Sequence, residues 1–259
     1  MAAPLITQLE GTIARRILLN YWLDAEVARR LVPEQFEIVT RNGFAVAGIC
    51  LIRLEQMRPQ GLPAAMGIAS ENMAHRVAVR YREGGVMREG VYIWRRDTDS
   101  LLAARLGGLL FPGVQRDAEF RVSETELGVG LRVLTADGAA DVTLNADFGA
   151  DWKWTLLFPR FTDVSDFFAR GDCGFSCALR SEALEGMRVE SLRWEMAPVA
   201  IRNLHAAFFE NEAMFPRGSV GFDSAVVMRG IPSRWHALHR VPELTNVTDF
   251  AGAASGGAR

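Results

Sequence analysis

The feature of the chain that most restricts its fold is a regular alternation of side chains between Met73 and Arg82. Successive residues of a β-strand point to opposite faces, so such an alternation predicts a strand with one apolar face. The inward set comprises Met73, His75, Val77, Val79 and Tyr81, and the outward set comprises Arg76, Arg80 and Arg82. Glu71 has the parity of the inward set, which places a carboxylate on the apolar side.

Strand-like segments recur along the chain and predict a mainly antiparallel sheet. Glycine-containing turns at 83–85, 127–128 and 137–138 favour hairpins between neighbouring strands. The segment 44–54 is apolar at both parities, so it must be covered on both faces, as a barrel wall under packed helices is. The other predicted strands are 12–22, 86–96, 119–125, 128–135, 141–148, 175–179, 187–195 and 220–228.

A few helices are predicted between the strands. Asp24 caps a short helix that extends to Leu31, and a second helix spans Asp163 to Arg170. A third begins at residues 98–100 and ends near 107–108, and a short one is expected around 205–210. Strands dominate, so the predicted class is α+β around a curled or closed sheet. One domain, 1–259, is expected, with 249–259 as a flexible tail.

Composition excludes several classes of partner. The 259 residues carry a formal net charge of −2, so no overall field attracts nucleic acid or an anionic membrane. The N-terminus lacks a signal-peptide pattern, and no apolar run could span a bilayer, which predicts a cytoplasmic location. The arginine pairs at 15–16, 29–30 and 95–96 are interpreted as mostly solvated surface. The sequence leaves open whether the chain forms a homo-oligomer.

No motif indicates a metal or a cofactor. The only close histidine pair, His236 and His239, has arginines beside it and no acid at ligand spacing, so no metal site is predicted. Glycine-rich nucleotide loops and a hydrolase nucleophile elbow are also absent from the sequence. Lys153, the only lysine, alternates with two tryptophans and is expected to be exposed.

Three short motifs together give the N-terminal half a resemblance to a known superfamily. They are Ala28-Arg29-Arg30-Leu31-Val32-Pro33-Glu34, Ser70-Glu71-Asn72-Met73, and residues 97–105 leading to Phe111-Pro112. In this order they resemble the acetoacetate decarboxylase-like superfamily and, within it, the bacterial DUF2071 or YqjF-like branch. Beyond Val122 the resemblance is to that branch only, through Trp194-Glu195-Met196-Ala197-Pro198 and Phe215-Pro216-Arg217-Gly218-Ser219.

The resemblance implies a cone-shaped, mostly antiparallel, closed or semi-closed β-barrel with peripheral helices and a small-molecule cavity inside. In the decarboxylases two lysines follow the aromatic-proline pair, and one forms a Schiff base with the substrate. Here Gly113 and Val114 stand at the positions of the two lysines. One acidic residue of the family aligns with Gly48 in this chain, whereas the family's glutamate on the following strand aligns with Glu71. Lysine chemistry is therefore not expected, and no cofactor is predicted.

Three functions remain open at this stage. The first is a lyase or isomerase without a Schiff base, with Glu71 as catalytic acid or base on a small oxo or carboxylated compound. The second is a non-catalytic module that binds a ligand through Arg53, His75, Trp94 and Arg121. The third is an interaction protein whose barrel is filled by its own side chains, which the absence of a cavity above about 300 Å³ would favour.

Overall fold

A computed structural model describes residues 8–100, 113–178 and 184–238. Within these ranges the chain forms a 13-stranded sheet and two α-helices, with one 3-10 turn at Ala64–Met66. The helices are α1 (Ala25–Arg30) and α2 (Phe161–Arg170). The strands are β1 (Gln8–Asp24), β2 (Glu37–Ile38), β3 (Thr40–Arg41), β4 (Phe44–Pro59), β5 (Ile68–Glu83), β6 (Val86–Thr98), β7 (Gln115–Glu124), β8 (Gly128–Thr135), β9 (Val142–Phe148), β10 (Cys173–Cys177), β11 (Leu184–Ser191), β12 (Ala197–Ala206) and β13 (Val220–Leu238).

The described strands close into two rings that share one wall. The shared wall has the order β13-β1-β4-β5-β6, and every neighbouring pair in it is antiparallel. β7, β8, β9 and β12 complete a nine-strand ring, which closes where β12 pairs with β13. β10 and β11 complete a seven-strand ring, which closes where β11 pairs with β13. Two of these pairings, β6 with β7 and β6 with β10, are parallel.

The interior of the nine-strand ring is a packed core. Ile17, Ile49 and Val77 of the shared wall are fully buried there, together with Val133 and Leu144 from the opposite side. The segment after β12 adds Phe208, Phe209 and Phe215, whose rings contact one another at centroid distances of 5.3 to 5.6 Å. This interior is therefore filled by the protein's own side chains.

The other face of the shared wall lies inside the seven-strand ring. Helix α2 covers one end of that face, where Val164, Phe167 and Phe168 pack with Leu18 and Val46. A second cluster covers the other end and comprises Leu9, Ile13, Leu54, Met57, Met187, Met228, Ile231 and Trp235. Between the two clusters the packing leaves a gap.

The predicted α+β class, with a closed barrel and peripheral helices, is confirmed. Asp24 caps α1 as predicted, because its carboxylate accepts hydrogen bonds from the backbone amides of Glu26 and Val27 at 2.8 and 3.1 Å. α2 begins at Phe161, two residues before the predicted start. The helix expected from residues 98–100 to 107–108 falls mostly outside the described residues, as does the tail 249–259, and Thr98 still belongs to β6.

Two local predictions were wrong. No helix forms at 205–210, because β12 continues to Ala206 and a turn follows. β11 ends at Ser191 rather than at 195. The sequence pattern also missed β12 as a strand. In the described part of the chain no helix is long and apolar enough to cross a membrane.

Candidate functional site

The gap inside the seven-strand ring is a cavity of about 420 Å³. Its wall includes residues that alternate with the core residues of the shared strands: Arg16 of β1, Cys50 and Ile52 of β4, Asn72, Ala74 and Arg76 of β5, and Val91 and Ile93 of β6. Met187 and Val189 of β11 line the opposite side, and Trp235 of β13 lines the edge where the two sides join. Alternate residues of the shared wall thus point either into the filled interior of the nine-strand ring or into the hollow interior of the seven-strand ring.

Arg76 is the most deeply buried cation of the cavity, with 2% of its surface exposed. One guanidinium nitrogen donates to Asn20 Oδ1 at 3.2 Å, and the guanidinium carbon lies 4.6 Å from the centroid of the Phe168 ring. Nε and Nη1 have no hydrogen-bond partner among the described residues. Burial lowers the pKa of Arg76 to about 10, Cys50 opposes this effect, and Arg16 adds to it.

Gly48 makes room for the contact between Arg76 and Asn20. It pairs with Asn20 on one side and with Arg76 on the other, so it lies between them in the sheet. A Cβ atom at this position would come within 2.3 Å of the Leu19 carbonyl oxygen. Gly48, which aligns with an acidic residue of the decarboxylases, therefore allows β1 and β4 to approach each other closely.

Arg96 reaches the cavity because β6 is irregular before it. The pairing of β5 with β6 shifts between His75 and Arg76, which leaves Trp94 as an extra residue. Ile93 and Arg96 both line the cavity as a result, although they are three positions apart and would lie on opposite faces of a regular strand. Arg96 Nε donates to Ser176 Oγ at 3.0 Å, and burial lowers the pKa of Arg96 to about 10.

The cavity has an excess of positive charge. Arg16, Arg76 and Arg96 line it, and none of the three forms an ion pair within the described ranges. The lining acids are already paired, because Asp172 contacts Arg188 at 3.3 Å and Glu190 contacts Arg234 at 3.7 Å. Unpaired buried cations are costly unless a counter-charge is present, so the site favours an anion.

The remaining wall of the cavity is apolar and partly aromatic. Trp194 and Trp235 contribute indole rings, and Phe168 of α2 contributes the ring that stacks on Arg76. Ile93 and Met187 add aliphatic surface. A pocket with convergent polar groups on an otherwise apolar wall is typical of small-molecule sites.

Glu71 is buried and paired with an arginine, as its parity suggested. It is 4% exposed, and Oε2 accepts a hydrogen bond from Arg15 at 2.6 Å, while Arg53 lies 3.4 Å from Oε1. Burial raises the pKa of Glu71, and the two guanidiniums oppose the shift. Arg15 also binds Glu124 at 2.6 Å. Glu71 does not line the cavity, whereas its neighbour Asn72 does.

His75 lies in the packed interior of the nine-strand ring. It is fully buried, its ring centroid is 4.2 Å from that of Phe208, and neither ring nitrogen has a hydrogen-bond partner among the described residues. Burial, with a contribution from Arg95, lowers the pKa of His75 to about 3. Trp94 faces the same interior, where it contacts Phe208 and donates to the Leu31 carbonyl at 2.8 Å.

Arg53 and Arg121 are surface groups with acidic partners. Arg53 is 40% exposed and pairs with Glu55 at 2.9 Å, and Arg121 is 62% exposed and pairs with Glu119 at 2.7 Å. Neither lines the cavity. The structure thus does not bring the five predicted site residues together around one cavity, and their functional roles stay predictions.

The position of the family's lysine has little room for a side chain. Gly113 has a φ of +84°, and a Cβ atom there would lie 2.6 Å from Ser176 Cβ. Its backbone amide donates to Glu185 Oε2 at 2.7 Å. Lys153 is exposed, as expected, although it lies outside any strand, and Trp154 beside it is also exposed.

Sequence reasoning missed the arginines of the cavity. Arg76 was assigned to an outward face and the pairs 15–16 and 95–96 to solvated surface, yet Arg15 and Arg76 are buried and Arg16 and Arg96 line the cavity. The available signal was the segment 44–54, whose two apolar faces require cover on both sides. Within the described ranges no group of three His, Cys, Asp or Glu residues could hold a metal ion.

Comparison with solved structures supports the same architecture. An acetoacetate decarboxylase from Legionella pneumophila aligns with a TM-score of 0.57 at 14% identity, over 95% of this chain and 94% of that one. An acetoacetate decarboxylase-like enzyme from Sphingomonas wittichii gives 0.51 at 13% identity, over 91% of each chain. The enduracididine biosynthesis enzyme MppR, complexed with the condensation product of pyruvate and imidazole 4-carboxaldehyde, gives 0.52 at 13% identity, over 92% and 89%.

The sequence itself matches one family. No curated protein sequence matches the chain. The model of the DUF2071 family, described as an uncharacterized conserved protein, matches residues 11–227, which include β4, β5, β6, most of β1, the first part of β13 and most of the cavity lining. This match shows that the chain belongs to the DUF2071 family, and the structural likenesses show that it has an acetoacetate decarboxylase-like fold.

Proposed function

We propose that the protein binds a small carboxylated oxo compound in the cavity of the seven-strand ring and acts on it as a lyase or isomerase without a Schiff base. The observation that carries the proposal is the set of three guanidiniums, Arg16, Arg76 and Arg96, that line the cavity and form no ion pair within the described chain, although the carboxylate of Glu185 acts on Arg96 at longer range. A carboxylate bound there would supply the missing counter-charge and accept charge-assisted hydrogen bonds.

The same cations support a chemical role. Removing a proton, or a carbon fragment, next to a carbonyl group leaves negative charge on the carbonyl oxygen. Guanidiniums held in a poorly hydrated cavity stabilise such a charge more strongly than water does. The role of Glu71 as catalytic acid or base stays a prediction, since its carboxylate lies on the other face of the sheet.

The size and lining of the cavity favour a ligand with an apolar part. A volume of about 420 Å³ falls in the range of ordinary small-molecule pockets. Trp194, Trp235 and Phe168 offer aromatic surface beyond the arginines. The structure of MppR with pyruvate makes 2-oxo acids a reasonable first class of probe.

Titration calorimetry with pyruvate, phenylpyruvate and the uncharged amide of each tests the proposal. The acids should bind, and the amides should bind at least about tenfold more weakly, because a hydrogen bond between charged groups contributes roughly 1.5–3 kcal/mol. Arg76→Gln and Arg96→Gln should each weaken the acids by a similar factor. Arg202→Gln is the matched control, because it removes the same charge from a residue that is 72% exposed and does not line the cavity.

Equal binding of acids and amides, or equal affinity in the Arg76 and control variants, would contradict the proposal. A non-catalytic binding module is the second candidate, because the cavity alone is sufficient for it. Incubation of the tightest ligand with the protein, followed by NMR for new products or for exchange of the proton next to the carbonyl, separates the two. A cytoplasmic location and the absence of nucleic-acid and membrane partners stay predictions.

A further inference from the structure

One thiol lies on the arginine-lined face of the cavity. Cys50 lines the cavity from β4, is unpaired with any other cysteine, and is 8% exposed. Cys173 also touches the cavity, but its sulfur is hydrogen-bonded to Asp172 and Arg188, and burial raises its pKa to about 11. Cys50 Sγ has no hydrogen bond among the described residues, so it is the free sulfur of the site.

The register of the shared wall places Cys50 beside two guanidiniums. Cys50 pairs with Ala74, and Ala74 pairs in turn with Arg96, so only a methyl group stands between the thiol and that arginine. Arg76 lies two residues from Ala74 on the same face, which makes it a diagonal neighbour of Cys50. Arg76 and Arg96 line the same cavity as Cys50, so all three side chains face one enclosed space.

These surroundings are the ones in which cysteines react. Nearby positive charge stabilises a thiolate, and the thiolate is the nucleophilic form. Arg76 is only 2% exposed, and its Nε and Nη1 have no hydrogen-bond partner in the described chain. Both nitrogens can therefore donate hydrogen bonds to a bound anion. The site therefore combines a sulfur nucleophile with donors for both a carboxylate and a developing oxyanion.

We propose that Cys50 is a nucleophilic residue that adds reversibly to the carbonyl carbon of the oxo acid bound in the cavity, an inference that rests on the proposed function. A sulfur–carbon bond forms, and the π pair of the carbonyl moves onto oxygen. The proton of the thiol ends on that oxygen, so the product is a hemithioketal and no further reactant is needed. The guanidiniums stabilise the negative oxygen before it is protonated.

Alkylation of the native protein tests the site without a known substrate. Iodoacetate carries the charge that the arginines should attract, whereas iodoacetamide is neutral and has the same reactive carbon. Peptide mass spectrometry should show a ratio of iodoacetate to iodoacetamide labelling at Cys50 at least about tenfold above that at Cys177, the exposed internal control. Arg76→Gln combined with Arg96→Gln should abolish the preference. Equal ratios at the two cysteines would refute the proposal.

Carbon-13 NMR tests the addition itself. Pyruvate labelled at its keto carbon should give, besides the resonance of its free hydrate, a second tetrahedral-carbon resonance with the wild-type protein that is missing with Cys50→Ser, which should still bind pyruvate in calorimetry. Binding by the wild type without that resonance refutes the addition. If no panel member binds while Cys50 keeps its preference for iodoacetate, the proposed function fails and the nucleophilic site stands.

Discussion

His75 gives the folding stability a pH dependence that can be calculated from its surroundings. The ring is fully buried against Phe208, and burial lowers its pKa from 6.5 to about 3. The unfolded chain protonates the imidazole at a higher pH than the folded chain does, so folding stability is lost as the pH falls below the unfolded value. Between about pH 7.5 and pH 5, linkage predicts a loss of about 2 kcal/mol from this group alone.

His75→Leu removes the titrating group and keeps a similar volume. The unfolding free energy of this variant at neutral pH should differ from that of the wild type by less than about 1.5 kcal/mol. The direction is open, because imperfect packing of leucine destabilises the fold, whereas removal of two buried nitrogens without hydrogen bonds stabilises it. Between pH 7.5 and 5 the wild-type protein should lose about 2 kcal/mol more than the variant. Other titrating groups are present in both proteins and cancel in this difference.

The assay is urea denaturation followed by tryptophan fluorescence at each pH, with the slope of the transition checked for equality between the two proteins. Parallel pH profiles for wild type and variant would refute the reasoning. Such a result would mean that the buried imidazole titrates as it does in the unfolded chain, which a fully apolar environment does not allow.

Three further predictions concern positions outside the cavity. Borohydride added with acetoacetate should leave the protein mass unchanged, because no amine stands at Gly113 or Val114 and Lys153 is exposed; a reduced adduct in the mass spectrum would overturn this expectation. Glu71→Gln should lower the unfolding free energy by about 2 kcal/mol, because Arg15 keeps only Glu124 as a charged partner, and it should change affinity for a 2-oxo acid less than twofold; a larger loss of affinity would restore Glu71 to the site. Gly113→Ala should destabilise the fold by at least about 1–2 kcal/mol, because alanine disfavours the positive φ and its Cβ would press on Ser176, and a melting temperature equal to that of the wild type would contradict this.

The sequence could predict the strands because their side-chain pattern is local. The alternation around Val77 gave the direction of Glu71 and His75 correctly, since a two-residue period needs no knowledge of the rest of the chain. The strands that cover the other face of the shared wall cannot be predicted from a local pattern. They are β10 and β11, which pair with β6 and β13, and both pairings join segments that are distant in sequence. Arg76 was for that reason assigned to solvent.

The irregularity at Trp94 hid the rest of the site. A regular strand would have kept Ile93 and Arg96 on opposite faces, and no turn residue or glycine marks the shift in register. The resemblance to the decarboxylases indicated a cavity, but its acids and lysines led to residues of the packed interior or to glycines. The arginines that line the cavity, Arg16, Arg76 and Arg96, stand at positions that the resemblance did not single out.

Along each strand of the shared wall, alternate residues face different interiors and are therefore under different constraints. On β5 the side chains of His75 and Val77 pack inside the filled ring, while Asn72, Ala74 and Arg76 line the cavity of the hollow ring. Substitutions on the packed side should therefore change the stability of the protein. Substitutions at the adjacent positions should instead change the shape and charge of the cavity. Members of such a family can diverge in specificity along alternate positions while the intervening ones keep the barrel intact.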